Sequence, residues 1–187
     1  MDMRGRRRFD DDYSAVKEIC NNKKGYRIRY VYSGPWFSWD AERRTVRGRK
    51  LALAGLCAAD LALFILCAVQ RTSGNLSQFT TVAVALAAVG LVFELWGLAL
   101  FCAAGERVTR DTFRDVEREL KVAPMFRAVM LLAAAALGVW FLFADGFSVK
   151  ALAVTAGYVA CAALSYCVRR VYAGLPHMEE ENEAQYQ

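Results

Sequence analysis

Residues 51–70 read LALAGLCAADLALFILCAVQ, twenty positions with one acid, Asp60, and no base. A helix rises about 1.5 Å per residue and a bilayer core is about 30 Å thick, so a run of this length reads as a membrane span. Three further runs repeat the pattern at 79–104, 125–144 and 148–168. The chain has 24 Lys and Arg and 19 Asp and Glu, yet 51–104 holds only Asp60, Arg71 and Glu94, and 125–168 only Arg127, Asp145 and Lys150. A soluble domain cannot carry two such stretches. The whole-chain figures, 56% hydrophobic residues and mean hydropathy +0.20, resemble an ordinary globular domain because they average two populations. The same composition excludes a disordered chain and a disulfide mini-protein.

The expected fold is an all-α membrane protein, a bundle of four transmembrane helices made of two helical hairpins. An N-terminal cytosolic segment (1–50) precedes the transmembrane domain (51–168), and an acidic cytosolic tail (169–187) follows it. Turn residues join the spans at Arg71-Thr72-Ser73-Gly74-Asn75 and at Asp145-Gly146, with Ser77 and Ser148 placed to cap the helices that follow. Pro35, Pro124 and Pro176 all lie at junctions, so the spans read as continuous.

Orientation follows from the basic residues. Segment 1–50 holds 14, the loop 105–124 five, Arg127 one and the tail two, against Arg71 and Lys150 on the other side. This split places both termini and the central loop in the cytosol, in a multi-pass protein of the inner or plasma membrane. It also accounts for a pI near 9.0 without nucleic acid as a partner. The first apolar run is too long for a signal-peptide core and reads as an uncleaved anchor.

Outside the spans, 12–24 reads as a short helix with acids first and Lys23 and Lys24 last, and 26–32 alternates as a strand with no evident partner. Trp36 and Trp39 followed by Arg43, Arg44, Arg47, Arg49 and Lys50 suit a headgroup layer and form a candidate lipid or partner contact. In the loop 105–124, Thr109, Phe113, Val116 and Leu120 share a helical face, predicting an amphipathic surface helix with a capping box at Thr112 to Asp115 and a Glu117–Lys121 pair. The tail, with the only histidine, His177, reads as disordered and exposed.

The acids within the spans carry the sharpest signal. Asp60 lies about 15 Å inward from Lys50, and Glu94 about 16 Å from Gly105, which gives both nearly the same depth. An acid there costs about 2.5–3.5 kcal/mol to insert, so each needs a partner, a proton or water. Ala83, Ala87, Gly90, Glu94 and Gly97 form a narrow small-residue stripe, so Glu94 should face another helix; Asp60 shares a face with Leu53, Cys57, Phe64 and Cys67. The expected site is Asp60 hydrogen-bonded to Glu94, with Tyr158 donating to either. It reads as a proton or cation site, or as polar glue within the bundle.

Cysteines at helix positions read as small apolar packers, with no metal spacing among them. Asn75-Leu76-Ser77 matches a glycosylation sequon but lies too close to the membrane for modification. No hydrolase, kinase, zinc-protease or dinucleotide motif occurs, so no enzyme and no cofactor is expected. Four helices with a membrane-embedded Glu resemble the small multidrug exporters in architecture; that family carries its Glu in the first span, and no residue is carried over. The resulting expectation is a non-enzymatic scaffold or accessory subunit whose partners are the bilayer and a second copy or another membrane protein. The alternative is a small oligomeric transporter or channel component using Asp60 and Glu94.

Overall fold

The structure is a computed structural model that describes residues 12–19, 26–40 and 42–180. Among these, the chain runs β1 (Tyr13–Ile19), β2 (Tyr26–Tyr32), β3 (Trp36–Trp39), α1 (Arg43–Ala68), α2 (Ser73–Leu76), α3 (Gln78–Ala103), β4 (Arg107–Thr109), α4 (Arg110–Lys121), α5 (Ala123–Ala144), α6 (Val149–Ala173) and β5 (His177–Glu180). Four helical stretches are long and apolar enough to cross a membrane, the third being α4 and α5 taken together. Each matches one of the apolar runs. α1 begins eight residues earlier than expected: its first two turns carry five basic residues, good helix formers, and no proline, and the helix runs through Gly48.

Helix ends follow the local chemistry. The Ser77 side chain accepts from the Thr80 amide at the start of α3, as expected, whereas Ser148 makes no side-chain cap. Pro124 sits in the first turn of α5, where its missing N–H costs nothing. Gly146, at φ 95°, makes the turn between α5 and α6 in a region that a side chain would strain.

The expectation of an all-α protein is corrected by two small sheets. β1 pairs antiparallel with β2 from Tyr13 opposite Tyr32 to Ile19 opposite Tyr26. Residues 13–19 are therefore a strand and not part of a helix; the graded charge suggested a helix, but the partner strand at 26–32 supplies the backbone hydrogen bonds. Lys23, Lys24 and Cys20 lie outside the described residues. The second sheet has the order β4-β3-β5, with Phe37 opposite Val108 on one side and Glu179 on the other. It brings the segments just before α1 and just after α6 together with the chain between α3 and α4. The start of the tail, expected to be disordered, is thus an edge strand, and His177 is exposed with its ring 5.1 Å from that of Phe113.

α4 buries Phe113, Val116 and Leu120, the face that the spacing predicts, but against protein: it packs on α3, α5 and α6 and touches β3. Its N-cap is Thr109. Thr112 lies inside the helix, three residues on, and shares a hydroxyl contact of 3.0 Å with Thr109, whose side chain caps no amide, so the capping box expected at Thr112 to Asp115 does not form. Asp111 in the first turn and Arg118 and Lys121 in the last suit the helix dipole. The Tyr32 hydroxyl donates to the Pro35 carbonyl at 2.8 Å and accepts the Arg110 amide at 3.0 Å, tying the β1–β2 hairpin to α4; burial pushes its ionisation above the ordinary tyrosine value.

Packing divides the molecule into two apolar cores. At the sheet end, Trp39, Leu53, Phe101, Phe113, Val168 and Tyr172 cluster, with the Trp39 and Phe101 rings edge to face at 5.1 Å. In the other half, Phe64, Ala87, Leu91, Leu131, Val154 and Tyr158 form the second. α5 packs along α6 and α3, and α1 leans chiefly on α6 rather than on α3, its successor in the chain.

Candidate functional site

Between the two cores lies a polar layer. Asp60 follows Cys57 and precedes Phe64 on the buried face of α1, and Glu94 stands between Leu91 and Gly97 on the buried small-residue face of α3, both on the faces that the spacings single out. α5 adds Arg127 and α6 adds Ser165. All four residues are 0% exposed.

The Arg127 guanidinium joins them. Its Nη1 forms an ion pair with Asp60 Oδ2, lies 3.4 Å from Glu94 Oε2 and donates to Ser165 Oγ at 3.0 Å. Ser165 Oγ in turn donates to Asp60 Oδ2 at 3.2 Å, and the Cys57 thiol points at Glu94 Oε1 at 3.7 Å. The guanidinium carbon is 5.3 Å from the Phe64 ring centre, a cation–π distance. Two carboxylates thus share one cation, and each of the four long helices supplies a member. Gly90 suits this: a Cβ there would lie 3.0 Å from Arg127 Cβ, a contact tight enough to press α3 and α5 apart by a few tenths of an ångström.

The expected direct bond between Asp60 and Glu94 is therefore replaced by a bridge through Arg127. Tyr158 is not part of it. Its hydroxyl donates to Asn75 Oδ1 at 2.9 Å, nearer the end opposite the sheets, while Asn75 Nδ2 donates to the carbonyls of Cys67 at 3.0 Å and Gln70 at 2.9 Å. Asn75 so closes the C-terminus of α1, and its amide, the one the sequon letters mark, is engaged in structure.

The seven aromatic and basic positions before the first span do not act as one surface. Trp39 is 8% exposed and belongs to the sheet-end core. Trp36 packs its ring against Tyr32, Arg44 is exposed, and Arg49 donates to the Val171 carbonyl at 3.4 Å. Arg43, Arg47 and Lys50 gather with Trp39 around one open cleft of about 530 Å³.

Arg127 and Ser165 were not among the expected site residues. Arg127 reads in sequence as an end-of-span charge, yet it shares a helix face with the buried Leu131, Ala134 and Ala135 at spacings of four, three and one. Ser165 likewise continues the buried series Tyr158, Cys161 and Ala162 on α6. Among the described residues no three His, Cys, Asp or Glu side chains stand close enough to hold a metal ion. The arrangement can hold four helices in register and can accommodate a proton on one of two carboxyls. Compared with known protein families, with curated proteins and with solved structures, the chain matches none.

Proposed function

We propose that this chain is a polytopic membrane scaffold or accessory subunit without enzymatic activity, whose four helices are locked by the Asp60–Glu94–Arg127–Ser165 layer and whose sheet end, facing the cytosol, engages partners. The observation that carries this reading is the complete enclosure of the charged layer, with Asp60, Glu94 and Arg127 each at 0% exposure. A transport site has to meet water on at least one side, whereas an enclosed set joined through one Arg127 nitrogen suits a structural lock.

The membrane placement rests on length and rings. Gly90 packs against Arg127, so α3 and α5 share a level there; Trp96 lies six residues to the sheet side and Trp140 thirteen to the other, about 28 Å apart along the axis. Both rings are exposed, and the separation is about that of the two interfaces of a bilayer core. The charged layer then sits in the half nearer the sheets. Basic residues of α1, α4 and the end of α6 share the sheet end, opposite Arg71 and Lys150, which supports a cytosolic sheet end by the positive-inside rule.

A second reading is favoured by the odd charge. Two carboxyls and one guanidinium carry a net negative charge unless one proton is held, which is what a proton-linked transporter would exploit. Internal pH in proteoliposomes decides between them. Wild type and Asp60→Asn/Glu94→Gln with equal, background-level proton flux support the lock; flux in wild type that the double variant abolishes supports transport.

A further inference from the structure

In the half of the bundle away from the sheets, α1 and α3 pack least closely of the adjoining long helices. They leave an open groove of about 330 Å³, lined by Phe64 and Ala68 of α1, Val84 and Ala88 of α3 and Tyr158 of α6. Asn75, in the connection between α1 and α3, also lines it, so the groove reaches the end of the bundle opposite the sheets. Its inner end approaches the charged layer. Ala88 stands two residues before Gly90, the position that faces Arg127, and Phe64 is about one helical turn from Asp60. The Phe64 ring belongs to both surroundings: it lines the groove, and its centre is 5.3 Å from the Arg127 guanidinium carbon. Beyond it, Asp60, Glu94 and Arg127 are wholly buried.

We propose that Phe64 is the seal of the charged layer, the side chain that keeps water entering the groove from reaching Arg127 and its two carboxylates. Arg127 gives the layer its demand for water. Its Nη1 serves Asp60, Glu94 and Ser165, whereas Nε and Nη2 are buried and hydrogen-bond to nothing among the described residues. Buried N–H groups without an acceptor gain from admitting water wherever a path leads to them. The groove supplies that path as far as Phe64. An aromatic ring suits the closing position, because its face attracts the guanidinium while the rest of it is apolar. The polar groups of the groove are already engaged with one another: Tyr158 with Asn75, and the Asn75 amide with the carbonyls of Cys67 and Gln70. Phe64 thus acts through Arg127, as a positioning residue outside the charge network. The inference rests on the reading of the layer as an enclosed lock, and names what encloses it on this side.

The test follows labelling of individual cysteines by a small cationic methanethiosulfonate, a reagent that travels with water, in the full chain in phosphatidylcholine nanodiscs, with mass spectrometry reading each site. Cys57, whose thiol points at Glu94, and Cys161, beside Asp60, are buried and report on the layer; the exposed Cys102 is the reference. In wild type both should react far more slowly than Cys102. Phe64→Ala should quicken both at least about tenfold, as a closed region does when it gains an open path. Phe64→Leu keeps apolar bulk and should stay close to wild type; Phe64→Val should fall between the two, and serves where Phe64→Ala does not fold. Leu131→Ala empties comparable apolar space one turn from Arg127 but away from the groove lining, and should leave both rates unchanged. No gain in the small variants overturns the seal. So does an equal gain in Leu131→Ala, which would show that any loss of packing loosens the layer, or a gain in Phe64→Leu as large as in Phe64→Ala, which would show that bulk at this position excludes nothing. Labelling of Cys57 in wild type as fast as Cys102 would instead contradict the enclosed lock itself, whatever the Phe64 variants do.

Discussion

The charged layer between the cores and the cleft at the sheet end are built from the same side-chain types and are opposites in every physical respect. In the layer, Arg127 is 0% exposed and two carboxyls face it; the cleft opens outward, and Arg43, Arg47, Lys50 and Glu106 are among the described residues that line it. Inside an apolar bundle a charge is tolerated only with its partner, so removing one member leaves the others stranded. At an open surface, water and salt satisfy each cation separately, and the pattern of charge is free to serve a ligand. The layer is thus constrained by its partners, whereas charge at the cleft is open to solvent.

Substitutions can break this contrast. The largest effect is expected from Arg127→Met, which strands Asp60 and Glu94; by analogy with broken buried pairs it should cost about 3–5 kcal/mol, visible as a large fall in melting temperature in detergent. Gly157→Leu comes next, because Cys67 Sγ occupies the space that a side chain there would need, and forcing α1 from α6 should cost about 1–3 kcal/mol in the same assay. Asn75→Ala removes the two donors that close α1 and the acceptor of Tyr158, and should cost about 1–3 kcal/mol; hydrogen exchange should rise first around Cys67 to Gln70. The smallest effect is expected at the partly exposed Glu117–Lys121 pair, where Glu117→Gln should cost about 0.2–0.5 kcal/mol, and less at high salt. A large loss at Glu117 or a small one at Arg127 would erase the distinction between the regions.

The helical half of the molecule was legible because its signals are local. Twenty-residue apolar runs set the spans, and the small-residue stripe of α3 and the Leu53–Cys67 face of α1 are the faces that the structure buries. The sheets were hidden because their pairings are not local: β3 meets β4 about seventy residues on and β5 about a hundred and forty on, and neither short partner announces itself as a strand. In β1, acids before lysines imitated a helix, while the hydrogen bonds that make it a strand come from β2. Arg127 was misplaced for another reason. Its charge was fully explained by topology, four residues into α5, and only the burial of its helix face shows that it turns inward to both acids.

The members of a lock matter through one another. Its most direct test compares the thermal stability of Arg127→Met with that of Arg127→Met/Asp60→Asn/Glu94→Gln in the same detergent. If the layer is a lock, neutralising the two stranded carboxyls restores most of the stability that Arg127→Met removes. A triple variant no more stable than Arg127→Met would contradict it.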